Sequence, residues 1–315
     1  MRETIRIGTR GSALALWQAR HVEERLQRVF PHLHIEIIVL QTRGDLVLDR
    51  PLAEIGGKGL FLKEIEEALL RGEVDMAVHS LKDVPWEQPE GLALAAVLER
   101  GAPYDALCVA PGRAASISAL PERARVGTGS LRRGAQLRAM RPDLEVVPIR
   151  GNVPTRLARA RAEGDLDAVV LAEAGLRRLD LWGPGMATLA PPGFLPAPAQ
   201  GAVTVQVRED DATARTWAAT LHDVPTALCV RAERACLHAI EGDCHTPFAA
   251  YAQRDADGIV CHARLLREDG AFVEHSSRAA FGADEAPLEV AHALGRRLGE
   301  ALIAERARLA GEVPD

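Results

Sequence analysis

No stretch of this 315-residue sequence offers the roughly 18 uninterrupted apolar residues of a spanning helix. The opening MRETIRIGTRGS holds no apolar run before its first charges, and the sequence therefore predicts a cytoplasmic protein. Cysteine is sparse: five residues, an odd number, stand far apart at 108, 229, 236, 244 and 261. That pattern argues against a disulfide scaffold and for thiols that stay mostly reduced. An excess of positive charge is missing too. The formal charge of -6 argues against a general nucleic-acid binder but leaves room for local basic sites.

Several signatures of chemistry are also absent. Neither GTRGS nor GTGS matches GxGxxG or the phosphate loop, and GGKGLF fails the latter pattern, so no nucleotide is implied. No GxSxG turn occurs, and His79 and Ser80, adjacent in a strand, would face opposite sides, which disfavours a hydrolase triad. Hydrophobic content of 47% against 26% charged residues is that of a folded protein with a sizeable core.

What is present is an alternation of strands and helices. IRIGT reads as a strand running into the helix ALALWQARHVEERLQRVF; HIEIIVLQT is a strand, residues 59–70 a helix, and MAVH a strand. LALAAVL and DALCVA read as buried strands. From Arg125 the pattern restarts: RVGTGSLRRGAQLRAM repeats the strand, glycine turn and helix of IRIGTRGSALALWQA, followed by EVVPIRG, a helix PTRLARARAEG and the strand DAVVLAEAG. Two similar α/β units in tandem are the economical reading. LAPPGFLPAPAQGAVTVQVR is a proline- and glycine-rich crossing that ends in a strand, one that returns to the first unit. Beyond residue 222 come a helix over 224–240, a hairpin of IVCHARLLR and AFVEHSSRA, and a long helix from PLEVAHALGRRLGEALIAERARL. They read as a small α+β domain, with the last helix serving packing.

The turns GTRGS and GTGS each place unpaired N–H groups and a positive helix end at a strand-to-helix junction. Carboxylate or phosphate would suit them, and so would ordinary helix capping. Arg132, Arg133, Arg150, Arg156, Arg177 and Arg178 gather near strand ends and glycine turns of the second unit, where an open α/β sheet exposes its ligand crevice. Guanidinium matches carboxylate in bidentate fashion, so the grouping points to a polycarboxylate ligand. Arg159 and Arg161 read as surface charges. In AVHSLKDVPWE, Asp83 and Lys82 follow a buried strand; they form either a proton-transfer or cation-stabilising carboxylate with a neighbouring anion-binding group, or a strand-end salt bridge. Cys244, among the turn formers of EGDCHTP, is open to three readings: core thiol, metal ligand with His245 and Cys236, Cys261 or His262, or reactive site.

IGTRGSALALWQA, QTRGD, GGKGLF, AVHSLKDVP, GTGSLRR, RGNVPTR, AGLRRL, AQGAV and EGDCHTPF, in this order over residues 5–248, resemble the hydroxymethylbilane synthase, or porphobilinogen deaminase, family. The resemblance implies two periplasmic-binding-protein-like α/β domains with a smaller C-terminal α+β domain. It places domain 1 at 1–100 and 200–219, domain 2 at 101–199 and domain 3 at 220–315. It implies head-to-tail condensation of four porphobilinogen molecules, with loss of ammonia and final release of hydroxymethylbilane by hydrolysis. It also implies a dipyrromethane cofactor held by a thioether to Cys244. Asp83, with Lys82, would stabilise pyrrole N–H and cationic charge and move protons. Arg10, Ser80, Lys82, Ser130, Arg132, Arg133, Arg150, Arg156 and Arg178 would bind the carboxylates of cofactor and substrate, and Arg178 fits the motif better than Arg177. The expected protein is a monomer that needs no metal, nucleic acid or membrane.

Three positions depart from the resembled motifs: Asp243 and Ala199 stand where glycine is common, and Gly129 where serine is. Asp243 beside a thiolate would raise its pKa by repulsion. Two other classes compete, a two-lobed binder of small carboxylates without turnover and a zinc-containing structural protein; neither explains why all the motifs occur in order.

Overall fold

The computed structural model describes residues 3–42, 62–161, 164–242, 246–282 and 286–309. The GGKGLF segment and the turn residue Cys244 lie outside the described residues. The chain divides into two compact units, Met1–Gly101 with Gly201–Ala227, and Ala102–Gln200 with Leu228–Asp315.

The described strands are β1 (Thr4–Arg10), β2 (His34–Leu40), β3 (Met76–Ser80), β4 (Leu92–Val97), β5 (Asp105–Val109), β6 (Arg125–Gly127) and β7 (Glu145–Val147). They continue with β8 (Ala168–Ala172), β9 (Met186–Leu189), β10 (Val203–Arg208), β11 (Phe248–Arg254), β12 (Gly258–Leu266) and β13 (Phe272–Ala280). The described α-helices are α1 (Ala13–Val29), α2 (Lys63–Leu70), α3 (Leu131–Met140), α4 (Val153–Ala158), α5 (Glu173–Arg178), α6 (Ala212–Ala219), α7 (Val224–Ala239) and α8 (Pro287–Leu309).

In the first unit the sheet order is β2-β1-β3-β10-β4. β1 runs parallel to β2 and β3, and β10 lies antiparallel between β3 and β4. The second unit repeats the plan as β7-β6-β8-β5-β9. There β6 is parallel to β7 and β8, while β5 is antiparallel to β8 and β9. The antiparallel member comes last in the chain for the first sheet and first for the second. Both expectations, a pair of similar α/β units and a strand after AQGAV returning to the first, match these pairings.

Strands covered on both faces are apolar almost throughout; β8, parallel to β6, is AVVLA and buried at its first four positions. On α1, Ala15, Ala19, Val22 and Leu26 form the buried stripe of a 3.6-residue period. The stripe packs on Ile5, Ile7, Met76 and Val205, and a fully buried Leu or Ile contributes about 2 kcal/mol. Ser12 caps the start of α1 by accepting from Ala15 N–H at 3.3 Å, and Pro31 follows its end, where the helix cannot continue.

The C-terminal sheet is the antiparallel meander β11-β12-β13. One core joins Leu228, Ala232 and Cys236 of α7 to Ile259, Cys261 and Leu265 of β12 and Leu294, Leu298 and Leu302 of α8. α8 approaches α7 so closely that a Cβ on Gly295 would collide with the Ala232 carbonyl. The expected packing role of this helix is therefore visible residue by residue.

Four elements were not anticipated: β9, α5, α6 and β11; α5 takes the last residues, Glu173–Gly175, of the expected strand DAVVLAEAG. β9 has only four residues, and β11, FAAYAQR, is largely alanine rather than the β-branched residues that mark strands. The expected helix over 154–164 is shorter than its sequence pattern. After Ala158, N–H groups of residues 159–161 bond three residues back, and Leu166 N–H returns to Arg159 O at 3.1 Å. The coil tightens and reverses instead of continuing. No helix among the described residues is long and apolar enough to cross a membrane.

Candidate active site

Parallel pairing carries the candidate residues of each unit to one edge of its sheet. In the first unit, β1 ends at Arg10 and turns into α1, while β3 ends at Ser80 and passes into a 3-10 turn, Leu81–Asp83. Because β1 and β3 are parallel, these ends share the carboxyl edge, where open α/β sheets bind ligands. Leu81 pins the turn: its side chain is buried and its N–H donates to Ala202 O at 3.0 Å. Lys82 is half-buried and Asp83 exposed at this edge. Ser80 Oγ accepts from Gln18 Nε2 at 2.8 Å, so a buried glutamine of α1 orients that hydroxyl.

His79 points the other way, as strand alternation requires. It is buried and bonds Gln206 at 3.2 Å through Nε2. The Gln206 amide nitrogen donates to Glu66 Oε1 and Gln88 Oε1, each at 3.0 Å. Its oxygen is therefore the acceptor, and the His79 proton sits on Nε2. Burial, with a smaller push from Arg10 against the bond to Gln206, drives the imidazole down to about 4. His79 is a neutral donor near pH 7.

In the second unit, β6, β7 and β8 are parallel, and their carboxyl ends carry Thr128–Ser130, Arg150 and α5. Ser130 caps α3, its Oγ accepting from Arg133 N–H at 3.5 Å; capping uses a lone pair, so the hydroxyl keeps its own proton to donate. Gly129 sits where a Cβ would come within 2.8 Å of Ile149 O, so its lack of a side chain lets the turn lie close against the segment that leads to Arg150. Asn152 caps α4, and Arg156 Nε donates to Gly151 O at 2.7 Å.

Arg132 and Arg133 are buried and meet on Asp105, a fully buried residue that no sequence motif singles out. Arg132 Nη1 donates to Asp105 Oδ2 at 2.7 Å and Arg133 Nε to Asp105 Oδ1 at 2.8 Å. Burial would raise the Asp105 carboxyl, but the two guanidiniums and the Gln200 amide outweigh it and hold the group well below the usual carboxylate range. Burial lowers Arg132, with Asp105 opposing the shift.

Arg177 and Arg178 separate clearly. Arg177 pairs with Glu173 at 2.7 Å and lies 4.3 Å from the centroid of Trp182. Arg178 is half-buried, and burial pushes its guanidinium down to about 10. Arg159 pairs with Asp165 at 2.5 Å, in keeping with a surface charge.

The four described cysteines are buried and none is in a disulfide. Burial pushes both Cys108 and Cys236 up to about 12, so neither offers a thiolate near neutral pH. Among the described residues no three His, Cys, Asp or Glu side chains gather as a metal site. Cys236 and Cys261, two ligands of the zinc alternative, lie in the C-terminal core.

Each unit is an open α/β sheet with polar side chains at its carboxyl edge, acid and serine in the first and serine and arginine in the second, the edge at which sheets of this class bind ligands. Comparison with known proteins sharpens that class. Residues 5–216 match the family model described as porphobilinogen deaminase, dipyromethane cofactor binding domain, and residues 227–304 the model of the porphobilinogen deaminase C-terminal domain. Porphobilinogen deaminase of Xanthomonas axonopodis pv. citri (strain 306) is 51% identical over 300 residues, 95% of each chain. That of Stenotrophomonas maltophilia (strain K279a) is 56% identical over 257 residues, 82% of this chain and 84% of the other. A solved structure of the methionine binding protein MetQ aligns with 70% of this chain and 90% of its own at 13% identity, with a TM-score of 0.45.

The chain belongs to the porphobilinogen deaminase family. It is accordingly a transferase of tetrapyrrole biosynthesis that condenses four porphobilinogen molecules stepwise to hydroxymethylbilane and uses a dipyrromethane cofactor. The donor set fits that group: a buried arginine pair carries two positive charges against one carboxylate, and a half-buried Arg178 is a desolvated cation. Both favour an anionic ligand bearing acetate and propionate arms.

Proposed function

We propose that Asp83 and Lys82 serve the chemical steps of this reaction, and that Arg10, Ser80, Ser130, Arg132, Arg133, Arg150, Arg156 and Arg178 bind the carboxylates of cofactor and substrate, with Lys82 contributing. The observation that carries this reading is the topology. Each sheet brings its own subset to its carboxyl edge, acid and lysine in the first unit and most of the cations in the second. Arg177 is taken up by Glu173 and Trp182, which favours its neighbour Arg178 as the carboxylate-binding residue.

Dipyrromethane, when bound, would supply the nucleophilic pyrrole position to which the first substrate adds. Asp83, held by the pinned 3-10 turn, stabilises the substrate's pyrrole N–H and the positive charge that develops as ammonia leaves, and it takes part in moving the proton lost afterwards. Lys82 and the arginines fix the carboxylate arms so that the reacting carbons meet in one orientation. Cys244 is the attachment point, as its place in the family's cysteine motif implies; the burial of the four described cysteines supports this reading. We divide the chain into domain 1 (1–100 and 200–219), domain 2 (101–199) and domain 3 (220–315), a division supported by three separate sheets. It works as a cytoplasmic monomer without nucleic acid, its acidic net charge being at odds with a general nucleic-acid binder.

Asp83→Asn tests the assignment. It keeps the side chain's shape and removes its charge, and turnover is expected to fall by at least about a hundredfold with the melting temperature unchanged. Intact mass and peptide mapping of the same samples should place the cofactor on Cys244. Near-normal turnover in the variant would rule out the role of Asp83, and an adduct on another cysteine would rule out that of Cys244.

A further inference from the structure

We propose that Asp105 is a positioning residue for this reaction: its carboxylate fixes the Arg132 and Arg133 guanidiniums in one geometry and cancels one of their two charges, so the pair presents a single net positive charge to one ligand carboxylate. The inference rests on the assignment of these arginines to carboxylate binding.

Asp105 opens β5 and is fully buried. Oδ2 accepts from Arg132 Nη1 at 2.7 Å. Oδ1 accepts from Arg132 Nη2 at 3.3 Å, Arg133 Nε at 2.8 Å and Gln200 Nε2 at 3.0 Å. The arginines are also tied to the backbone, Arg132 to Leu195 O at 2.6 Å and Arg133 to Val170 O at 3.2 Å. Gln200 closes the arrangement by accepting from Arg133 Nη2 at 3.3 Å while donating to Pro103 O at 2.9 Å.

A carboxylate can accept about four hydrogen bonds, whereas two guanidiniums carry about ten donors. Asp105 can orient the pair but cannot saturate it. A structural ion pair needs one cation per anion, and a surplus buried charge is costly unless an anion completes it. The loop that delivers Gln200 is itself anchored: Ala199 N–H donates to buried Glu233 Oε2 at 2.6 Å, and Glu233 Oε1 accepts from Ala252 N–H of β11 at 2.8 Å. The C-terminal sheet thus helps hold the clamp around Arg133.

Full-length Asp105→Asn is compared with the unaltered protein by intact mass for cofactor loading, by thermal melting, and by KM and kcat with increasing inorganic phosphate. Without the carboxylate the pair carries two charges and a loose geometry. KM for porphobilinogen is expected to rise at least about tenfold, cofactor loading to fall, and phosphate to become a competitive inhibitor. Unchanged loading, KM and phosphate response would overturn the proposal, whether or not the melting temperature falls. Should Asp105→Asn fail to fold, Asp105→Glu decides, because it keeps the charge but shifts the carboxylate by one carbon. A raised KM without phosphate sensitivity supports positioning, and a wild-type KM refutes it. Arg133→Lys separates the two levels: if it leaves loading and KM intact, carboxylate binding by Arg133 is wrong. If it impairs them while Asp105→Asn does not, only the positioning role is wrong.

Discussion

Replacing His79 with glutamine should flatten the acid side of the protein's stability curve. In the fold, burial holds this imidazole at about 4 against an ordinary 6.5. Between those values the unfolded chain binds a proton that the folded chain refuses, so stability rises with pH through this window. The contribution is fully present above 6.5 and lost progressively as pH falls toward 4. A shift of that size corresponds to about 3 kcal/mol at about 1.4 kcal/mol per unit. Glutamine can offer an N–H to the Gln206 oxygen but does not titrate. Urea unfolding at several pH values between about 4.5 and about 7.5, which span that window, should show the two curves diverging, wild type losing up to about 1.4 kcal/mol more per pH unit on acidification. An NMR titration of the His79 ring gives the direct measurement. Parallel stability curves, or a ring midpoint near 6.5, would refute the reasoning. The activity profile between about pH 6 and 8 should keep its shape in the variant, because a neutral His79 contributes no ionisation there.

Two further substitutions probe the scaffold. Ala199 has φ 60, a left-handed conformation that costs a residue with a Cβ about 1 kcal/mol, so Ala199→Gly should raise the melting temperature by a degree or two, roughly what that energy gives in a chain of this size; a fall would show that the buried methyl group outweighs the strain. Gly295→Ala forces a methyl group onto the Ala232 carbonyl and should destabilise by about 2 kcal/mol, read as a lower melting temperature, whereas an unchanged value would mean that α8 can shift without cost.

Much of the fold was legible because buried parallel strands announce themselves as short apolar runs and α1 and α8 by their period. Short or alanine-rich strands carried too little signal, as β9 and β11 show. The site divides in the same way. Asp83 and the arginines stand in motifs whose order could be read along the chain, but their partners could not. Asp105 meets Arg133 across 28 positions of sequence, and Gln18 reaches Ser80 across 62; such pairings come from sheet topology and leave no local pattern. The one available hint was a charged residue at the head of the apolar run DALCV, where burial of an aspartate demands cations nearby.

The exchange of antiparallel strands fixes an order of events during synthesis. All five strands of the second sheet lie within residues 105–189, so that sheet can close while the ribosome is still translating the rest of the chain. The first sheet cannot. β3 and β4 have no hydrogen-bonding partner to join them until β10, residues Val203–Arg208, has emerged. The half of the enzyme made first is therefore finished second, and in the interval the facing edges of β3 and β4 are unpaired strand edges of the kind that chaperones shield and aggregation exploits.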